Sequence, residues 1–270
     1  MIKLVKYNNS YWSMVRLPDE RFYNKNIVSL RRKYTKEFYE GVTDKDEIDR
    51  ISLSRSKSTI KSICLSNDFE YFATLTVNSL NCDRFSLSAC QEKMKKICKK
   101  IQRKNKNFKY IYITEKHKDG AFHFHGMVKG LELYKNNNGY YSNSDFDALG
   151  YNSFSAIKSY NKCCNYITKY ITKNCIKNEK NQIYFCSRGL NRGDTELMAD
   201  YDLEKIFLNK KVFKNEYCQK IDFDISTLSE KQKYNLYHFF NYNDELCNKN
   251  YNNITNLLQL LTKFNIKFNM

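Results

Sequence analysis

Two runs of apolar, β-branched and aromatic residues, Phe108 to Glu115 and Ala121 to Val128, flank an Asp119-Gly120 pair. Runs of this composition form strands, and a short turn holding Asp-Gly joins them into a hairpin because glycine reaches the left-handed backbone region cheaply. The hairpin anchors the rest of the chain. Ahead of it, Tyr71, Phe72, Thr74, Leu75, Thr76 and Val77 read as a strand that stops at Asn78-Ser79. Cys90, Met94, Ile97, Cys98 and Ile101 follow at helical spacing with lysines between them, the pattern of an amphipathic helix. Behind it, residues 132–152 are rich in Asn, Ser and Gly and read as a loop. Phe154 to Lys173 has helical length with no Gly or Pro, and Gln182 to Cys186 resembles a further strand.

The order β-α-β-β-α-β predicts an α+β fold: a ferredoxin-like or RRM-like antiparallel sheet with helices on one face and the other face open to nucleic acid. This core spans 66–200. Residues 1–65 are polar and basic without sustained periodicity and form an N-terminal basic extension. Residues 201–270, with a helix over Leu228 to Cys247 and an apolar stretch over Ile254 to Leu261, are expected to be a helical C-terminal extension.

Lys and Arg total 46 against 29 acidic residues, a formal net charge of +17, which favours a polyanionic partner and makes nucleic acid the first expectation. The sequence has no signal peptide and no long apolar run, so no membrane role is expected, and its ten cysteines, none in a CxxC pair, read as reduced thiols in a cytoplasm. No GxxxxGK[ST] loop is present, so any unwinding of DNA would come from a partner.

Three of the four histidines, His117, His123 and His125, fall within nine residues. Strand side chains alternate, so His123 and His125 share a face while Phe124 points into the core. Two surface histidines on an exposed sheet would look the same, so the neighbours matter. A three-residue loop, Lys118-Asp119-Gly120, pairs His117 with Ala121 and Glu115 with His123, bringing Glu115 onto the histidine face; a two-residue Asp119-Gly120 loop sets Glu115 against Phe124 instead. With the first register, one carboxylate and two imidazoles make a mixed O/N site suited to Mg²⁺ or Mn²⁺. His117 lies nearer the turn and reads as exposed. In the later helix, a Tyr-Ile-Thr-Lys unit occurs twice over Tyr166 to Lys173. Tyr166 and Tyr170 are helical neighbours, Lys173 continues their stripe and Lys169 borders it. A phenol with a pKa near 10 becomes a nucleophile where an ammonium or a metal stabilises its anion, although tyrosines that simply pack the helix onto the sheet would give the same spacing.

Together the FATLTV strand (Phe72 to Val77), the HFH strand (His123 to His125) and the YITKYITK segment (Tyr166 to Lys173) resemble, in that order, the three motifs of the HUH-superfamily rolling-circle replication initiators, or Rep proteins. The pattern is most similar to the initiators of microvirus and gokushovirus-type single-stranded DNA phages and related bacterial plasmids. It covers roughly residues 68–190, including Ser187-Arg188-Gly189-Leu190.

The resemblance implies an HUH endonuclease in which His123, His125 and Glu115 hold a divalent metal ion. Tyr166 or Tyr170, with a slight preference for Tyr166, attacks phosphorus, leaving a 5′-phosphotyrosine and a free 3′-hydroxyl as primer. Lys169 would sit by the phosphate or phenolate, and Thr74, Thr76, Lys173 and Arg188 would contact DNA. The implied partners are single-stranded DNA at a replication origin and a host helicase and polymerase, in the host bacterial cytoplasm. Other readings are an HUH transposase or relaxase, and a non-catalytic RRM-like binder in which Phe72, Tyr110, Tyr112 and Phe122 stack on bases.

Overall fold

The computed structural model describes residues 1–8, 10–16, 45–169, 183–214 and 218–247, with side chains of 45–52 and 243–247 left aside. Along the chain run β1 (Ile2–Lys6), β2 (Tyr11–Arg16), α1 (Lys45–Ser66), β3 (Tyr71–Thr76), α2 (Leu87–Lys104), β4 (Lys109–Lys116) and β5 (Phe122–Lys129). Then come β6 (Tyr134–Lys135), β7 (Tyr141–Ser142), β8 (Asn152–Ala156), α3 (Tyr160–Lys169), β9 (Tyr184–Cys186) and β10 (Asp194–Met198). The last are α4 (Leu203–Ile206), β11 (Phe213–Lys214), β12 (Gln219–Asp224) and α5 (Glu230–Cys247). The protein is thus mixed α+β, with antiparallel sheets.

These elements divide into two compact units, one central (Asp44–Arg192) and one built from both flanks (Met1–Thr43 with Gly193–Met270). The flanking unit has a sheet in the order β10-β1-β2-β12-β11. Ile2 and Leu4, Trp12 and Met14, and Ile221 and Phe223 alternate onto one face and bury against Leu203, Phe207, Leu236 and Phe240. The contacts therefore divide along other lines than boundaries at 65 and 200. The sequence expectation of an irregular N-terminal extension is corrected by β1, β2 and α1, and that of an all-helical C-terminal extension by β11 and β12. Each missed strand is short and finds its partners far away in sequence, where local periodicity carries little signal. The stretch Ile254 to Leu261 lies outside the described residues.

In the central unit the sheet order is β6-β7-β8-β3-β5-β4-β9. The hairpin register sets Glu115 against His123 and Lys116 against Phe122. The His117 N–H donates to the Ala121 carbonyl at 2.8 Å, closing the three-residue loop, and Gly120 has φ +89°, where a glycine is favoured. The Phe122 N–H also donates to the Arg84 carbonyl, and Arg84 pairs with Asp119, so the segment before α2 braces the hairpin tip.

The helix expected over Phe154 to Lys173 is corrected at its start: Asn152–Ala156 is a strand beside β3, and α3 begins at Tyr160. Asn152 and Phe154 are buried while Ser155 is exposed, the period of a strand. Ser159 then caps the helix, its hydroxyl accepting from the Lys162 N–H at 3.4 Å. The loop expected over 132–152 holds the short β6 and β7 and is tied by asparagines, with the Asn143 N–H donating to Asn152 Oδ1 at 2.8 Å. Tyr184–Cys186 pairs with β4 as the strand expected over Gln182 to Cys186, Gln182 lying outside the described residues.

Helices cover both faces of this sheet, which corrects the expectation of one open face. The α2 residues Cys90, Met94, Ile97, Cys98 and Ile101 bury against Leu75, Tyr112, Phe124 and Phe154. On the opposite face α1 packs against α3, α1 touches β4, and α3 touches β5. The cause is visible in β4, where both alternating sets, Tyr110 with Tyr112 and Ile111 with Ile113, are apolar and buried.

Candidate metal and tyrosine site

The sheet face that carries α1 and α3 is apolar at Ile111, Ile113 and Met127 and turns polar toward the hairpin tip. By strand alternation Thr74 and Thr76 of β3, His123 and His125 of β5 and Glu115 of β4 all project from it. The register sets Thr74 against His125 and Thr76 against His123. The hydroxyl of Thr76 lies 3.1 Å from Nδ1 of His123, and that of Thr74 lies 3.4 Å from Nδ1 of His125. Nε2 of His125 is 2.7 Å from Oε2 of Glu115, a diagonal contact between neighbouring strands. His117 is exposed, as expected, and stacks on His123 with ring centroids 3.9 Å apart.

Burial governs the charge states here. It lowers the pKa of His123 to about 4, with the neighbouring His117 and His125 pushing the same way and Asp119 opposing. It lowers that of His125 as well, against the pull of the Glu115 carboxylate. At neutral pH both imidazoles are therefore uncharged, the form in which a histidine binds a cation.

Tyr166 comes from α3 and is partly exposed; its ring meets that of His125 nearly edge-on at 5.8 Å and that of Phe72 at 5.4 Å. Ile167 and Cys164 on the same helix are buried, fixing which side of α3 faces inward. Tyr166 is thus brought to the histidine cluster. Lys169 is exposed at the last described position of α3, while Tyr170 and Lys173 lie outside the described residues. Arg188 is exposed, and its carbonyl accepts from Nζ of Lys109 at 3.2 Å. Lys109 opens β4 and Glu115 nearly closes it, about 20 Å apart along the strand, so Arg188 is not gathered with the histidines.

The donor set suits a hard divalent cation: two neutral imidazoles and one carboxylate, with each Nδ1 occupied by a hydroxyl as metal-binding histidines usually have it. Among the described residues, no three His, Cys, Asp or Glu side chains are grouped closely enough to hold an ion as they stand. The Glu115 carboxylate instead caps Nε2 of His125. The described cysteines form no disulfide. Two features escaped the sequence reading. The threonine–histidine pairing was signalled only by the matched alternation of Thr-x-Thr and His-x-His, and Phe72, a packing partner of Tyr166, carried no local signal.

The four aromatic residues that a non-catalytic binder would stack on bases form no open platform. Tyr110 (7% exposed), Tyr112 (0%) and Phe122 (4%) are buried on the α2 side, and Phe72 packs against Tyr166.

A histidine pair, a carboxylate and a helix-borne tyrosine on one antiparallel sheet define the class of site that fits phosphodiester chemistry. Residues 70–175, less than half of the chain, match the family model of the ORF2-type replication-associated protein, and over this segment the chain belongs to that family, consistent with a rolling-circle replication initiator. No curated protein and no solved structure is significantly similar to the chain. Among the described residues, no helix is long and apolar enough to cross a membrane.

Proposed function

We propose that the protein initiates rolling-circle replication by nicking single-stranded DNA at its origin with a tyrosine. The family match supports a role in replication initiation and DNA binding at an origin. The finer chemistry rests most on one observation, the edge-on approach of Tyr166 to His125 beside Glu115 and His123. His123, His125 and Glu115 would hold Mg²⁺ or Mn²⁺, which when bound supplies Lewis acidity at the scissile phosphate. Tyr166 Oη attacks phosphorus, the bond from phosphorus to the 3′ oxygen breaks, and that oxygen takes up a proton to leave as a 3′-hydroxyl. The phenol proton passes to solvent. The 5′ phosphate stays esterified to tyrosine, which conserves the bond for rejoining when a 3′-hydroxyl attacks in reverse. Tyr170, one helical turn on, supplies a second nucleophile for a later cut, and Lys169 supports the phenolate or the phosphate. Lys173 and Arg188 contact the DNA backbone. The reaction takes place in the cytoplasm of a bacterial host whose helicase and polymerase open and copy the duplex.

The decisive experiment is a denaturing gel of the full chain incubated with labelled single-stranded DNA from its own replicon and Mn²⁺ or Mg²⁺. A labelled protein band is expected, reduced in Tyr166→Phe and lost in Tyr166→Phe/Tyr170→Phe. Binding without any covalent product, under either metal, would overturn the nuclease.

A further inference from the structure

We infer that Thr76 and Thr74 are positioning residues that set the ring tautomer and orientation of His123 and His125, so that Nε2 of each ring is the nitrogen offered to a cation. The metal part of this rests on the proposed function; the tautomer part rests on the geometry alone. Both threonines are on β3, both histidines are on the adjacent β5, and the register aligns them pair by pair. Each hydroxyl lies within hydrogen-bonding distance of Nδ1 of its partner ring. Two side chains spaced by two on one strand serve two spaced by two on the next, so a single strand pairing builds both contacts.

The hydroxyl is suited to this because it both donates and accepts. In the protein as described, Nε2 of His125 faces the Glu115 carboxylate at 2.7 Å, and a carboxylate only accepts. Nε2 of His125 therefore carries the ring proton and donates it, and Nδ1 accepts from the Thr74 hydroxyl. When a cation takes Nε2, the ring must carry its proton on Nδ1. The proton lost from Nε2 through solvent is balanced by one gained at Nδ1, which then donates to Thr74 Oγ1 after the hydroxyl rotates. No net proton is released, and Glu115 is freed to turn its carboxylate to the ion. A valine of the same shape can do neither, whereas serine can do both.

The side chain of Thr76 is the nearer of the two, at 3.1 Å, so its removal should matter more. The test uses the full chain with Thr76→Val, Thr74→Val, Thr76→Ser and Thr74→Ser, and His123→Ala as a control. Ring-nitrogen NMR of the metal-free proteins reads the tautomers directly, and Mn²⁺ titration followed by electron paramagnetic resonance reads affinity. The wild type should show His125 as the Nε2–H tautomer. Each valine variant should give mixed tautomers of its partner histidine, and Thr76→Val should bind Mn²⁺ about 10–100-fold more weakly. The serine variants should restore both readouts. Unchanged ring-nitrogen shifts in the valine variants would overturn the inference, whatever the metal does. If the wild type binds no Mn²⁺ while the tautomers respond to valine, the positioning role stands and the metal reading falls.

Discussion

Phe124 and His125 are consecutive residues of one strand, and they enter opposite environments. Phe124 points toward α2 into a cluster of aromatic and aliphatic side chains with Leu75, Tyr112, Phe146 and Phe154. His125 points toward α3, where it is also almost fully buried, yet each of its ring nitrogens has a polar partner. Equal burial thus serves two ends. On the α2 face it removes apolar area from water and holds the sheet together. On the α3 face it strips water from titratable groups, which keeps the imidazoles neutral and the Glu115 contact strong.

Substitution at these two neighbours breaks the comparison most directly. His125→Ala should abolish strand cleavage while leaving single-strand binding and most of the stability in place, because water can reach Glu115, whose side chain is 21% exposed, once the ring is gone. Phe124→Ala should cost about 3–5 kcal/mol of stability through the cavity it leaves. Thermal unfolding and the covalent-product gel on the same two variants check both. Equal destabilisation by the two would mean that the α3 face is ordinary core.

Gly126 sharpens the same contrast at a smaller scale. A Cβ there would stand 2.3 Å from both the Ile111 carbonyl and the Tyr112 ring, neither of which is a flexible chain end. Gly126→Ala should therefore destabilise by roughly 1–3 kcal/mol through overpacking, read as a fall in Tm. A Tm within a degree of wild type would show that Tyr112 can move aside, and that the α2 face is looser than its burial suggests.

The hairpin and its register were legible in the sequence because turn chemistry is local: Gly120 supplies the left-handed position, and that fixes Glu115 against His123. The helix α2 was legible for the same kind of reason, its apolar residues recurring at helical spacing behind a Ser86 cap. Strand β8 was hidden because a run without Gly or Pro suits either a helix or a strand, and the Ser159 cap that divides them is a single residue. Helix α1 was hidden because its inward face is narrow, with Leu53, Ile60, Ile63, Cys64 and Leu65 buried in an otherwise polar stretch. The site's residue types were visible, but not that α3 would deliver Tyr166 to His125, since that contact depends on tertiary packing.

The smallest expected effect lies in the pH dependence of stability, and it belongs to the α3 face alone. Burial holds His123 at about 4, whereas an unfolded chain returns it to about 6.5. Between those values the unfolded chain binds a proton that the folded protein refuses, so stability falls as pH drops from about 6.5 toward 4 and is fully present above that window. His125, lowered by the same cause, adds in the same direction. Urea midpoints measured in a chelating buffer should show this slope in the wild type, reduced in His123→Gln, since a glutamine keeps a polar side chain facing Thr76 but does not titrate. Phe124→Leu, which perturbs only the α2 face, should keep the wild-type slope at a lower midpoint. If His123→Gln and Phe124→Leu gave the same slope, the acid sensitivity would come from elsewhere in the chain, and the two faces would differ in chemistry without differing in how they couple to protons.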